Sequence, residues 1–270
     1  MDGLRDVIRR ALAEDHAQHD ITSEAVVPER AVGRARLVAK ERCVIAGLDA
    51  FAACFEGLDV MLCASADGGE VIEAGSTVAR VAGSLRAILA AERTALNLVQ
   101  RLSGIATLTR SFVERAPGVE IRDTRKTTPG LRALEKAAVR AGGGVNHRSD
   151  LEAAILIKDN HIAAVRGDIA EAIRLAQKTG KHVEVECETI EQVETALACE
   201  TDELLLDNMT PEMLRRAVTM AKGKARTEAS GGVTLDTVAE IAATGVDSIS
   251  VGALTHSAPA VDLSLEIEAI

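Results

Sequence analysis

Three short stretches of this chain concentrate the residue types that hold and polarise anions. They are Asp123-Thr-Arg-Lys-Thr-Thr-Pro-Gly130, Gly142-Gly-Gly-Val-Asn-His-Arg148 and Ile157-Lys-Asp-Asn-His161. Between Ile121 and His161 there are eight Lys/Arg against five Asp/Glu, whereas the rest of the chain has 23 against 36. A protein of net charge −10 therefore carries one cationic segment of net charge +3. Cations aimed into a partly dry cleft act strongly on a bound anion, so the natural ligand for this segment is a small polyanion.

Within that segment Arg125 and Lys126 follow directly from a strand end, with Thr124, Thr127 and Thr128 adding hydroxyls before the Pro129-Gly130 turn. Gly142-Gly-Gly144 lets backbone approach a ligand, and His147 and Arg148 place donors beside it. Lys158 ends the apolar run Ala154-Ile-Leu-Ile157, which suits a cleft-facing amine or a strand-end salt bridge. His161 fits a ligand contact and a helix cap equally well. Further on, Glu184 and Glu186 alternate with Val183 and Val185, so both carboxylates face the same side of a strand. Glu186, nearer the carboxyl end, and Asp207, which ends Leu204-Leu-Leu206, sit where they can hold Mg2+ through oxygen or water ligands, or place negative charge beside a developing cation. Pairing with local Arg and Lys is compatible with either role. Ser230-Gly-Gly232 and Gly252-Ala253 are small-residue turns after the last two strands, a common position for a phosphate in α/β barrels.

These side chains need a scaffold, and the pattern beyond Pro117 supplies one. Short apolar strands, expected at 119–123, 155–158, 183–187, 203–207, 227–229 and 248–251, alternate with Ala-, Leu- and Glu-rich helical segments, as parallel sheets require. Polar residues recur at the carboxyl ends: Asp123, Lys158, Glu186, Asp207, Ser230 and Gly252. In a closed barrel those ends converge on one rim. A doubly wound open sheet is the alternative, and with six or seven strands the expected form is an irregular, incomplete barrel. Upstream, residues 1–14 read as a helix, 20–28 as irregular and then strand-like, 32–39 as a strand, 47–56 as a helix, and 60–81 as short strands broken at Gly75. Together they form an open α/β sandwich. A long helical stretch over 85–113, interrupted near Gly104, links the two. The expected domains are 1–103 and 104–270, with the C-terminal tail free to return to the first.

Composition narrows the function. The chain has no Trp, no Tyr and three Phe, so a bound flat ring must be oriented by charge and backbone. An acidic balance excludes general nucleic-acid binding. Five Cys without a CxxC pair give no zinc or disulfide framework and suit a reducing compartment. The sequence has no 18-residue apolar run and no apolar signal core, so neither a membrane span nor secretion is expected and the chain is placed in the cytoplasm.

Taken together these motifs resemble the quinolinate phosphoribosyltransferase family, also called nicotinate-nucleotide pyrophosphorylase (carboxylating). The resemblance also runs through Glu92-Arg-Thr-Ala-Leu-Asn97, Val183-Glu-Val-Glu186, Leu206-Asp-Asn-Met209, Glu228-Ala-Ser-Gly-Gly232 and Ser250-Val-Gly-Ala253. Asp20-Ile-Thr-Ser23 is similar to an early family motif, with His19 where a Gly is usual. The resemblance implies a sandwich plus an irregular barrel of the type II phosphoribosyltransferase kind. It implies a homodimer in which Arg93, otherwise a helix-surface arginine, reaches the other subunit's site. It implies a cationic substrate site of Arg125, Lys126, His147, Arg148 and Lys158, with Glu186 and Asp207 on the ribose and Mg2+ side. Ser230, Gly231, Gly232, Gly252 and Ala253 would surround a 5-phosphate. The implied reaction joins quinolinate to phosphoribosyl pyrophosphate, releasing pyrophosphate and carbon dioxide and forming nicotinate mononucleotide. Lys126 or Lys158 would stabilise the decarboxylation step, and the sequence does not apportion it between them. A related phosphoribosyltransferase of another specificity, and a non-catalytic phosphate-binding protein, are the competing readings.

Overall fold

The computed structural model describes residues 2–268, in two compact units. One comprises Met1–Arg110, Thr127–Gly143 and Leu254–Ile270, the other Ser111–Lys126 and Gly144–Ala253. In chain order the elements are α1 (Asp2–Glu14), α2 (Ile21–Val26), β1 (Val32–Ala39), β2 (Cys43–Val44), α3 (Leu48–Ala53), β3 (Val60–Ala64), β4 (Val71–Ile72), β5 (Thr77–Ser84) and α4 (Leu85–Arg115). There follow β6 (Glu120–Arg122), α5 (Arg132–Ala141), β7 (Ile155–Ile157), α6 (Asp159–Ala164), α7 (Ile169–Gln177), β8 (Val183–Cys187) and α8 (Ile190–Ala198). The chain ends with β9 (Glu203–Asp207), α9 (Pro211–Ala221), β10 (Arg226–Ser230), α10 (Val238–Ala242), β11 (Ser248–Ser250), α11 (Ala253–His256) and β12 (Leu263–Glu268).

The first unit is built on an antiparallel sheet of order β12-β1-β5-β3. The last strand returns to the first, setting Leu37 opposite Leu265 on one side and Ala79 on the other. Leu37, Ile45, Phe51 and Ile88 of this unit are fully buried, and Phe51 meets Phe55 edge-on at 5.3 Å. Two expectations fail here. Residues 21–26 are helical, not irregular, because Asp20 caps them: its Oδ1 accepts the backbone N–H groups of Thr22 and Ser23, each at 3.1 Å. The long helix α4 is also unbroken at Gly104. That glycine serves packing: a Cβ there would lie 2.0 Å from the Pro259 carbonyl oxygen, so only a bare Cα lets the C-terminal segment cross this closely.

The second unit is a six-stranded parallel sheet of order β6-β11-β10-β9-β8-β7, with crossover helices between strands. The β9 sequence Glu-Leu-Leu-Leu-Asp shows how alternation sets its faces. Leu204 and Leu206 are fully buried, while Glu203, Leu205 and Asp207 share the opposite side. In β8, Val183, Val185 and Cys187 are buried on one face and Glu184 and Glu186 point the other way. Thr189 and Thr210 cap α8 and α9, the latter with Pro211 in its first turn. Beyond β6 the sheet gains a single bridge, Arg122 to Val145, in place of a full strand. The barrel is incomplete there, as the strand count predicts.

Candidate active site

The expected strands and the expected polar residues at their carboxyl ends occur together in the second unit, which holds every candidate site residue except Arg93. Arg93 is exposed on α4, in the first unit. Arg125 and Arg148 are half-buried. Arg148 donates to the Ala154 carbonyl at 3.0 Å. Its guanidinium pKa is held below the ordinary arginine value by partial burial and then by the charge of Arg125, partly offset by Glu184 and Asp150. Lys126 is exposed, its backbone N–H donating to Thr124 Oγ1 at 3.0 Å.

Lys158 forms an ion pair with Glu186, linking the ends of β7 and β8. The Lys158 side chain is 44% exposed and that of Glu186 11%, so the amine remains open to solvent while the carboxylate does not. His161 acts as the helix cap: its Nδ1 accepts the Lys158 backbone N–H at 2.9 Å at the start of α6. Asp207 accepts from the Asn208 side chain at 2.6 Å and lies in register with Ser230 on the neighbouring strand. Asn208 is left-handed (φ 53), and Gly231 (φ 92) packs so closely on it that a Cβ would sit 2.2 Å from Asn208 Oδ1. Gly252 and Ala253 lead into α11. The turns after β9, β10 and β11 thus offer small residues and backbone N–H groups at one end of the sheet.

The largest feature not anticipated is a charged network inside the sheet. Arg122 pairs with Glu120 at 2.9 Å, Glu203 at 2.8 Å and Glu228 at 2.5 Å, and its side chain is only 12% exposed. Glu228, fully buried, also accepts from Ser250 at 2.5 Å and Ser248 at 3.3 Å. His147 Nε2 lies 2.9 Å from Glu184 and 3.7 Å from Glu228. Asp123 accepts the His147 backbone N–H at 2.9 Å and the Asn146 amide at 2.5 Å, fixing the start of this segment. Burial alone would lower the His147 pKa, but the hydrogen bond to Glu184 and the charges of Glu228 and Glu184 outweigh it, and the net shift is upward. The Glu228 carboxyl is pushed up by burial and by Glu184, against the opposing pull of His147, Ser250 and Arg122. The signal was present in the sequence: Arg122 and Glu228 are charges flanked by strand residues, each in or beside a motif already singled out.

His147, Glu184 and Glu228 each offer one ligand atom within 4.8 Å of the others, an arrangement able to hold a divalent cation. Its donor set includes an imidazole and is already engaged by Arg122. Mg2+ prefers oxygen ligands in near-octahedral array, which the carboxylates of Glu186 and Asp207 match better in kind.

Comparison with known proteins covers almost the whole chain. The family model described as quinolinate phosphoribosyl transferase, N-terminal domain, matches residues 20–103, and that for the C-terminal domain matches residues 105–266. The chain is 43% identical over 278 residues to the nicotinate-nucleotide pyrophosphorylase [carboxylating] of Mycobacterium leprae, covering 98% of each. It superposes on the nicotinate-nucleotide pyrophosphorylase structure from Francisella tularensis with a TM-score of 0.93 at 37% identity, covering 99% of this chain and 96% of that one. The NadC structure from Streptococcus pyogenes gives the same TM-score at 38% identity, covering 98% and 96%. Among the described residues no helix is long and apolar enough to cross a membrane.

Proposed function

This chain belongs to the quinolinate phosphoribosyltransferase family, and from that premise we propose how its own residues divide the work. The enzyme transfers a phosphoribosyl group to quinolinate with decarboxylation, yielding nicotinate mononucleotide, pyrophosphate and carbon dioxide. The observation that carries the residue assignment is the set of partly buried or exposed cations Arg125, Lys126, Arg148 and Lys158 in the unit whose strand ends also bear Glu186 and Asp207. Quinolinate is a dicarboxylate on a flat ring, and forked guanidinium donors match carboxylates while fixing the ring plane. Lys126 and His147 complete that side. Ser230, Gly231, Gly232, Gly252 and Ala253 take the 5-phosphate of the donor through backbone N–H groups.

Transfer forms the bond from the ring nitrogen to the ribose C1 and breaks the bond from C1 to pyrophosphate. The sugar gains oxocarbenium character, which the carboxylates of Glu186 and Asp207 favour electrostatically. These same oxygens are the side of the site that would hold Mg2+, which when bound would neutralise charge on the departing pyrophosphate. The quaternised ring nitrogen then accepts electron density as the 2-carboxylate leaves as carbon dioxide and C2 takes up a proton. Lys126 and Lys158 stabilise the carbanionic character at that carbon. For Lys158 this means exchanging its contact with Glu186 for the substrate, which its solvent-open amine allows.

The reading includes a homodimer in which Arg93, exposed on α4, enters the site of the other subunit. It also takes 1–103 and 104–270 as the functional domains, in keeping with the break between the two family matches. A cytoplasmic location accords with the five free cysteines. The test is release of carbon dioxide and pyrophosphate from quinolinate and phosphoribosyl pyrophosphate, with and without Mg2+. Mixing Arg93→Ala with Lys158→Ala, each nearly inactive alone, should restore part of the activity. Exchange of subunits without recovery would remove Arg93 from the site.

A further inference from the structure

Arg101 lies on α4 and makes more polar contacts than an ion pair between helices requires. Its Nε and Nη2 reach Glu135 Oε1 on α5 at 2.9 and 2.5 Å. Nη2 also lies 2.8 Å from Thr128 Oγ1 and 3.0 Å from the Thr255 carbonyl oxygen. Glu135 is fully buried, and its second oxygen accepts the Thr128 backbone N–H at 3.1 Å. One guanidinium and one carboxylate therefore grip both the backbone and the side chain of Thr128, and the backbone of Thr255 as well.

Both gripped positions lie just downstream of segments assigned to substrate. Thr128 is two residues beyond Lys126, and Thr255 is two residues beyond Ala253. The loop after Lys126 is tightened further where Arg132 donates to Thr127 Oγ1 at 2.9 Å and the Leu131 N–H to the Thr128 carbonyl at 3.0 Å. Stability is a poor reason for such a pair, because replacing a buried ion pair by apolar residues is often neutral or better. A planar fork with several donors is suited to holding several acceptors in fixed relative positions.

We propose that Arg101, acting with Glu135, is a positioning residue for the reaction, fixing the downstream ends of the two loops that carry Arg125 and Lys126 and Gly252 and Ala253. This rests on the reading of those loops as the dicarboxylate and phosphate sides of the site. The groups so fixed bind the substrates in ground and transition state alike, so their misplacement is expected to appear in KM.

The test is made on the full-length protein with Arg101→Met, Arg101→Lys and Thr128→Val, by amide hydrogen exchange and by steady-state kinetics. Arg101→Met is expected to speed exchange at 124–131 and 253–257 together and to raise KM for both substrates about tenfold or more. Arg101→Lys should recover part of each effect. Thr128→Val removes one acceptor and is expected to speed exchange at 124–131 alone and raise KM for the dicarboxylate only. It also serves as the deciding variant if Arg101→Met does not fold. Unchanged exchange in both segments, or faster exchange with both KM values within about twofold of wild type, overturns the proposal. So does a fall in kcat with both KM values unaltered, which is what general loss of folded protein gives. A wild-type protein that turns over neither substrate overturns the reading of the loops instead, and is recognised because it precedes any substitution.

Discussion

Replacing Arg122 by Met should destabilise this protein more than any single surface ion pair could, and more at high pH than at low. Arg122 is the shared counter-charge of Glu228, fully buried, and Glu203, 7% exposed. Removing one partner of a buried pair typically costs about 3–5 kcal/mol because the other charge is left uncompensated. Here the orphaned groups keep some company. Glu228 retains Ser250 and Ser248, and Glu203 retains His182 at 3.1 Å. The lower part of that range, about 3–4 kcal/mol, is therefore expected, a fall of roughly 10 °C in Tm for a chain of this size. The pH dependence follows from the upward shift already imposed on the Glu228 carboxyl by burial and Glu184. A carboxyl whose folded pKa lies above its unfolded value of 4.5 favours folding fully below that value, and the benefit is lost as pH rises through the folded pKa. Without Arg122 the folded value rises further, so the loss should be small near pH 5 and large near pH 8. The double substitution Arg122→Met with Glu228→Gln should recover about half of it, since a neutral amide needs no counter-charge. With no Trp or Tyr in the chain, unfolding in urea is best followed by far-ultraviolet circular dichroism. A loss below about 1 kcal/mol at pH 8, or one independent of pH, would falsify the account of the network.

Other expectations can be checked separately. The His147 imidazole should titrate above 6.5 by NMR, and Glu184→Gln should lower that value, since the Glu184 hydrogen bond and charge help hold it up against burial. Its contribution to stability is present below 6.5 and lost as pH rises through the folded value. Thiol labelling of the native protein should be fastest at exposed Cys63, while Cys54 and Cys187, buried and pushed up to about 12, react only on unfolding. Gly104→Ala should cost about 2–3 kcal/mol by thermal melting, because the new Cβ meets the Pro259 carbonyl oxygen at 2.0 Å and backbone must move.

Much of this architecture was legible because period-two alternation survives where one sheet face packs on helices. In Val183-Glu-Val-Glu-Cys187 the three apolar positions are buried and both carboxylates share the other face, as spacing alone requires. The positions of the candidate residues at the strand ends were legible for the same reason. Glycine was harder to read: Gly104 looks like a helix break, but its role is set by a carbonyl more than 150 residues away in the chain. Asp20 was missed as a cap because the short segment after it has weak apolar periodicity. The network around Glu228 joins residues from 120 to 250 that no local window relates. Its clue was negative, namely charges at strand positions where an ordinary barrel interior would carry aliphatic side chains.

That polar interior bears on the chemistry above it. His147 and Arg148 are neighbours in sequence, yet one points to Glu184 and Glu228 while the other is held by the Ala154 carbonyl and feels Arg125. An aliphatic interior beneath the rim would leave cations there facing one another over a low-dielectric floor, at a cost only bound substrate could offset. The buried carboxylates of Glu184 and Glu228 instead shift the His147 pKa upward against its burial, and Arg122 in turn pairs with Glu228. Charge of both signs thus occurs at both levels of the strands, Arg122 with Glu203 and Glu228 inside and Lys158 with Glu186 at the carboxyl ends. On the proposed function these cations would meet the anionic substrates already assembled, which is the preorganisation such a site needs.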